Sequence, residues 1–444
     1  MKKKIYIFLK YFATFLLMLM IFNLCLYVVC LIPSSKVEEN IKESSYILKK
    51  QGASFQLSKI FNVVNNNRTD SVILNESYSI DNEHPYISYM KARKDYKKGL
   101  TIKEIEDING EGVTINYIDG KEVIGMNYDY VGELGDLIDG KLKTSLNYGK
   151  YWHGYLVLYR PLLVLLNITQ IRTLMLIIFI GLYTYFIYLL NKRFGKNIAW
   201  IFGISLICTG FFSASFSLES SPIFLTMMIS AIILLKRIDK IKDFSLYIFV
   251  VACIANFVDY LTVPLITLGV LCSIYLLKIM EDGKDWKYCT KFLISNTLVW
   301  IAGYACTWLS KWILYDLSIN KTESMIKVGF TQAFYRMTRN NEHTPREVSY
   351  INTIIKILSN SSLYIVLSLW VLMGINKFKI TIKKFNPQVV PFLLVSLLPI
   401  GWYFTLANHT MMHAYFTYRH VLVFMLGILL AFNQLFFGKE KKDF

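Results

Sequence analysis

An apolar run from Ile5 to Ile32, broken only by Lys10, comes after the cluster Met1-Lys2-Lys3-Lys4. It exceeds the core of a signal peptide and matches a tilted membrane-crossing helix. Pro33-Ser34-Ser35 ends the run without a small-x-small cleavage pattern, and Val29 before Cys30 makes a poor lipoprotein site. Residues 1–33 therefore read as an uncleaved first transmembrane helix. Further spans fall at about 171–191, 198–214, 221–235, 244–261, 263–280, 292–315, 357–375, 389–407 and 414–436, which makes about ten membrane helices in all.

The polar positions between the runs set the orientation. Lys192-Arg193-Lys196, Lys236-Arg237-Lys240-Lys242, Lys284-Lys287-Lys291, Lys377-Lys379-Lys383-Lys384 and Lys439-Lys441-Lys442 fall in every second connection and at the C-terminus. The short loops 213–220, 256–262 and 407–413 carry no Lys or Arg. Positive charge collects on the cytoplasmic side, so both termini are expected in the cytoplasm of a multi-pass cell-membrane protein. Residues 34–170 then form an extracytoplasmic loop. Residues 171–315 form a transmembrane bundle, 316–356 a second extracytoplasmic loop, and 357–444 the last membrane helices and a cytoplasmic tail. Within the large loop, the alternation Val113-Thr114-Ile115-Asn116-Tyr117-Ile118 between Gly110-Glu111-Gly112 and Asp119-Gly120 predicts a small hairpin. Tyr151-Trp152-His153-Gly154-Tyr155, continuing through Arg160-Pro161-Leu162, reads as an interfacial helix.

Composition agrees. Of 444 residues, 54% are hydrophobic and 18% charged, and the mean hydropathy is +0.40. That leaves too little polar surface for a soluble protein of this size, and it excludes a coiled coil or a disordered chain. The expected fold class is an all-α polytopic membrane protein with a large mixed loop after its first helix. The net charge of +17 is largely the topology signal, so no nucleic-acid partner is implied. Seven Cys lie in or beside apolar runs, and none lies between 31 and 207. No disulfide framework or zinc spacing is present in the large loop.

Ionisable groups near helix ends in a bilayer are costly unless they face a cavity or one another. Here they gather on the outer side: Glu219 before Pro222, Asp259 in Phe257-to-Pro264, Lys311 in Trp308-Leu309-Ser310-Lys311-Trp312, His409 and His413 around an outer tip, and Arg419 in Phe416-Thr417-Tyr418-Arg419. Each has a plainer alternative. Asp259 caps a helix, Lys311 snorkels to headgroups, and Arg419 pairs with Glu219 or Asp259. His409 and His413 stand at ligand spacing but lack a His-Glu-x-x-His pattern. His153 and Arg160 are either cavity groups or parts of an interface anchor. Asp70, after Asn65-Asn66-Asn67-Arg68-Thr69, is a general-base candidate, with Thr69 able to cap the short apolar run beyond it.

Cations beside carboxylates and His at an outer-leaflet opening suit a lipid-linked phosphate, with Arg able to grip it bidentately. The corresponding reaction is sugar transfer from a polyprenyl-phosphate donor to an extracytoplasmic glycan or lipid acceptor, with membrane lipids as surroundings. No Gly-rich phosphate loop points to a nucleotide-sugar donor.

One span, a large outer loop, an amphipathic segment from Tyr151 to Leu166 and then a helical bundle is an order that resembles the GT-C superfamily of membrane glycosyltransferases. The strings Tyr151-to-Tyr155 with Arg160-Pro161-Leu162, Phe257-to-Pro264, and Asn408-His409 with Phe416-to-Arg419 are also similar to uncharacterised bacterial membrane proteins of surface-polysaccharide loci. The resemblance implies an essential acid early in the first outer loop, often one of a pair. Glu38-Glu39 occupies that position, and Asp70 lies well beyond it. The base is assigned to Asp70, with Glu38 and Glu39 as reserves. Arg419, Lys311 and Arg160 are assigned to phosphate, while Glu219, Asp259, His153, His409 and His413 are assigned to the substrate site. No cofactor is called for. Some members use a divalent metal, which stays open here, but no metal ligands are assigned. A polysaccharide polymerase or ligase, or a transporter of lipid-linked oligosaccharide, remains the alternative reading.

Overall fold

Helices dominate because a backbone in hydrocarbon must satisfy its own hydrogen bonds. The structure, a computed structural model, describes residues 2–58, 63–91, 94–96, 113–118, 121–126, 130–141, 144–146, 148–319, 324–338, 347–375 and 386–437. The first helix, α1 (Lys2–Cys30), is followed by α2 (Ser34–Gln51), α3 (Asn67–Tyr78), α4 (Pro85–Lys91), α5 (Tyr130–Ile138) and α6 (Leu156–Leu163). The bundle continues with α7 (Ile168–Phe194), α8 (Lys196–Cys208), α9 (Ser221–Arg237), α10 (Phe244–Val258), α11 (Leu265–Glu281) and α12 (Trp286–Ser318). Then come α13 (Met325–Met337), α14 (Glu347–Ile375), α15 (Val390–Thr405), α16 (Ala407–Met412) and α17 (Val421–Phe436).

Among the described residues, six segments are long and apolar enough to cross a membrane: Lys4–Cys30, Ile168–Phe194, Trp286–Ser318, Ile351–Val371, Pro387–Thr405 and Ala414–Phe436. Lys196–Cys208 and Phe244–Val258 are shorter apolar helices. The chain is a helical, multi-pass membrane protein. The Lys clusters at 377–384 and 439–442 lie outside the described residues.

One core fills the bundle α7–α12 with α15 and α17, and a second joins α1, α2, α3 and α6 to one flank of α10. Aromatic pairs seat α1 on α10: Tyr11 meets Phe249 edge-on at 5.2 Å, and Phe22 stacks on Phe257 at 4.1 Å. At one end of the bundle, charged pairs tie helix termini together: Lys10 to Asp243 at 2.7 Å and Arg193 to Glu281 at 2.7 Å.

The opposite end carries the region between α1 and α7. There α2 buries Val37, Ile41, Ser44, Ser45 and Leu48 along one stripe, at the spacing of an amphipathic helix. Three two-stranded antiparallel ladders accompany it: β1 (Ser54–Ser58) with β2 (Val63–Asn66), β3 (Lys94–Tyr96) with β6 (Thr144–Leu146), and β4 (Val113–Ile118) with β5 (Lys121–Met126). The last pair is the hairpin that the alternation predicts.

Two local expectations change. Asn66, not Thr69, caps α3, its side chain accepting from the Arg68 N–H, and Asp70 sits in the first turn. The interfacial helix is also shorter than expected. Helix α6 spans only Leu156–Leu163 and keeps Pro161 inside, while Tyr151, Trp152, His153 and Tyr155 form a buried turn ahead of it. Gly154 makes that turn fit: its N–H donates to the Phe257 carbonyl at 2.8 Å, and a Cβ there would lie 2.4 Å from the same oxygen. His153 and Arg160 therefore do not share a helical face.

Candidate functional site

The apolar bundle leaves its polar groups to converge at the end that carries α2–α6. Asp70, fully buried, reaches Arg172 of α7, with Oδ2 2.7 Å from Nη2. Its Oδ1 accepts from the Leu218 N–H at 2.9 Å. Arg172 also donates to Asn67 Oδ1 at 2.9 Å and Gln51 Oε1 at 3.0 Å. Burial pushes the Asp70 carboxyl up, against the opposing pull of Arg172. Both oxygens are thus committed to holding α3 against α7 and the turn before α9.

Glu219 sits next in that turn, 3% exposed. It is hydrogen-bonded to Thr69 and lies in the electrostatic field of Asp70, Arg419 and Asp259. Burial pushes it up to about 8, Thr69 and Arg419 opposing. Arg419, in the turn Tyr418–His420 before α17, donates from Nη1 to the Ser220 hydroxyl at 3.1 Å. Its Nε is buried without an acceptor. Among the described residues no carboxylate lies at ion-pair distance from it, so the expected pair with Glu219 or Asp259 is a neighbourhood rather than a bridge.

Asp259 ends α10 and accepts from the Thr262 N–H, 3.1 Å from Oδ1 and 3.0 Å from Oδ2, and from the Thr262 hydroxyl at 2.5 Å. Burial pushes it up to about 7, against these hydrogen bonds. The turn it closes is strained, because Leu261 has φ +61°, a region costly for a branched side chain. The Leu261 carbonyl accepts from His409 Nε2 at 2.8 Å. The rings of His409 and His413 are 4.7 Å apart. Burial lowers both, with Arg336 adding to the shift, and His413 falls to about 4, so both imidazoles are neutral near pH 7.

A second constellation adjoins the first. His153, with φ +56°, donates from Nε2 to the Tyr148 carbonyl at 2.9 Å. Its Nδ1 lies 2.5 Å from the Tyr155 hydroxyl and 3.2 Å from Glu76 Oε2. Tyr155 also donates to that Glu76 oxygen. Tyr260 stacks on Tyr155 at 5.6 Å. A narrow crevice beside it is lined by Tyr151, Trp152, Asn256, Asp259, Leu261, Tyr304 and Trp308.

No protein-family model, curated protein or solved structure matches the chain. Its chemistry has to be read from this geometry alone.

Of the residues singled out from sequence, the fold brings Asp70, Glu219, Asp259, His409, His413 and Arg419 to one place, with His153 in the adjoining cluster. Four lie elsewhere. Glu38 and Glu39 are exposed on α2. Arg160 closes the end of α1: its Nε donates to the Val29 carbonyl at 3.0 Å, Nη1 to the Ser77 carbonyl, and Nη2 to the Ile32 carbonyl at 2.5 Å and Ser34 Oγ at 3.2 Å. A helix end leaves such carbonyls without intrahelical partners, and a guanidinium answers them. Lys311, fully buried, donates to the Tyr89 carbonyl at 2.9 Å and lies 5.3 Å from the Trp152 ring centre, bracing α4 against α12. Among the described residues no three of His, Cys, Asp and Glu come together to hold a metal ion.

Arg172, Glu76, Lys150 and Arg336 belong to this end and escape the sequence reading. Arg172 had a signal, since it stands in the first turns of an apolar helix just as Arg419 does. Glu76 had none, because nothing in Asn67–Tyr78 reveals that both faces of a short polar helix are buried.

Proposed function

We propose that the chain is a GT-C-like membrane glycosyltransferase that moves a sugar from a polyprenyl-phosphate donor to an extracytoplasmic glycan or lipid acceptor. In this reading about ten helices cross the cell membrane, both termini are cytoplasmic, and the site opens on the outer face. The observation that carries it is one buried neighbourhood holding Arg419 without a carboxylate bridge beside Glu219, whose carboxyl is pushed up to about 8. A guanidinium with a donor to spare binds a phosphate. A carboxyl near neutrality can take a proton at working pH.

Arg419 holds the lipid phosphate. Glu219, rather than Asp70 with its two committed oxygens, takes the proton of the acceptor hydroxyl. That oxygen attacks the anomeric carbon, the bond from this carbon to the phosphate oxygen breaks, and the departing negative charge settles against Arg419, with inversion. Asp259, His153, His409 and His413 orient sugar hydroxyls; His409, whose Nε2 proton goes to the Leu261 carbonyl, offers Nδ1 as an acceptor.

Polyprenyl phosphate titrated onto the full chain in nanodiscs tests the binding step. Arg419→Gln should weaken it about tenfold, and Glu219→Gln should leave it intact while abolishing transfer. Undiminished lipid binding by Arg419→Gln overturns the assignment.

A further inference from the structure

Helix α13 crosses the same end of the bundle on the indole of Trp312. Gly329 permits the contact, since a Cβ there would lie 2.3 Å from the ring. The seating delivers Arg336, in the last turn of α13, over two rings. Its guanidinium carbon is 5.5 Å from the centre of Tyr151 and 5.9 Å from that of Trp308, and it donates to the Tyr151 hydroxyl. Lys150 approaches the same aromatic wall, its Nζ 5.1 Å from the centre of Tyr148 and 5.7 Å from that of Tyr151. The Lys150 carbonyl is fixed by the indole N–H groups of Trp308, at 2.8 Å, and Trp312, at 2.9 Å.

Neither cation has a carboxylate at ion-pair distance among the described residues. Arg336 Nη1 is buried without an acceptor; Nδ1 of His409 and of His413 are buried without a hydrogen-bond partner, on two rings that lie in the field of Arg336. The two like charges meet over the Tyr151 ring and repel. Burial and the charge of Arg336 bring Lys150 down to about 8. Aromatic faces offset part of this through cation–π attraction, but an unanswered buried donor and a like-charge pair are an arrangement that an external anion completes. The crevice lined by Asp259, Asn256 and Tyr304 adjoins the same Tyr151 and Trp308 but is too narrow for a sugar, which leaves the half-exposed Trp308, Lys150 and Arg336 at its rim.

We infer that Arg336, Lys150 and Trp308, backed by Tyr151, form a second subsite that holds an acidic sugar, its ring against the half-exposed Trp308 and its carboxylate or phosphate on the two cations. Assigning that sugar to the acceptor rests on the transferase reading; the binding itself does not.

The test is calorimetric titration of the full chain in nanodiscs with glucuronate, glucose 6-phosphate, glucose and inorganic phosphate. The acidic sugars should bind, with glucose far weaker. Arg336→Gln should weaken them about tenfold, and Lys150→Gln should do so in the same direction. Preference for glucuronate or for glucose 6-phosphate identifies the anion. Inorganic phosphate binding as well as glucose 6-phosphate removes the sugar from the inference, and acidic sugars no better than glucose overturn it entirely. Because Arg336→Gln should keep polyprenyl-phosphate binding, failure here leaves the Arg419 result standing, and failure there leaves this one. If Arg336→Gln does not fold, Lys150→Gln alone decides.

Discussion

Replacing Asp70 by Asn should unfold the protein before it silences it. Both members of the pair with Arg172 are sealed from solvent, and their charged atoms lie 2.7 Å apart. At an effective dielectric of about 20, unit charges about 4 Å apart attract by about 4 kcal/mol. Removing one partner of a buried pair typically costs about 3–5 kcal/mol, because the survivor stays buried and unanswered. An Asn amide can still accept from the Leu218 N–H, but its NH2 would then face Arg172 Nη2, donor against donor. Asn67 and Gln51 soften the loss without supplying charge. The assay is thermal melting in nanodiscs, monitored by tryptophan fluorescence, for Asp70→Asn, Arg172→Gln and the double variant. Each single variant should melt several degrees lower. The double variant should recover part of the loss, which gives a coupling energy of the sign and size of a buried ion pair. Asp70→Asn melting like the parent while sugar transfer vanishes would falsify this reasoning and return the base role to Asp70.

Three further outcomes are expected. Glu219 is an acid whose folded value, about 8, lies above its ordinary carboxylate range. Between those limits the folded state binds the extra proton, so stability should fall as pH rises from about 5 to about 8. Over the upper part of that range transfer should rise, and Glu219→Gln should make the fall in stability shallower, leaving the share of Asp259, whose value is about 7. Gly154→Ala places a methyl group 2.4 Å from the Phe257 carbonyl oxygen and 2.5 Å from its ring, so the Tyr151–Tyr155 turn must shift; overpacking of this kind costs about 1–3 kcal/mol, measured as lowered melting. Arg160→Leu strips donors from the carbonyls of Val29, Ile32 and Ser77 and should cut folded yield sharply, while the surviving fraction binds polyprenyl phosphate normally in the nanodisc titration.

Legibility from sequence tracked the strength of each periodic or compositional signal. Long apolar runs identified membrane helices because hydrocarbon leaves the backbone no other solution, and the alternation at Val113–Ile118 marked the pairing with Lys121–Met126. The convergence of Glu219, Asp259, His409, His413 and Arg419 was legible because topology alone puts short loops at a common end. Side-chain destinations were not. Arg160 looked like a phosphate ligand because sequence cannot show that α1 ends with its carbonyls pointing at it. The Tyr151–Tyr155 string looked amphipathic because its aromatics are spaced as on an interface, yet Gly154 lets it pass tightly against Phe257 and buries it. Arg336 stood in a segment whose only cue was a modestly amphipathic helix, and its significance appears only when Trp312 fixes where that helix lies.

The rule that an ionisable residue near the membrane marks a function therefore divides into two cases. Arg160, Arg172 and Lys311 are deeply buried, but the chain itself answers them with helix-end carbonyls, the Asp70 carboxylate and the Tyr89 carbonyl. Their burial is explained once those partners are known. Arg419 and Arg336 donate instead to hydroxyls, those of Ser220 and Tyr151, and no described carboxylate bridges either one. Both cations lie near a region where Glu219 and Asp259 are driven toward neutrality by burial. Under the proposed transfer, Arg419 meets the lipid phosphate and Glu219 takes the proton.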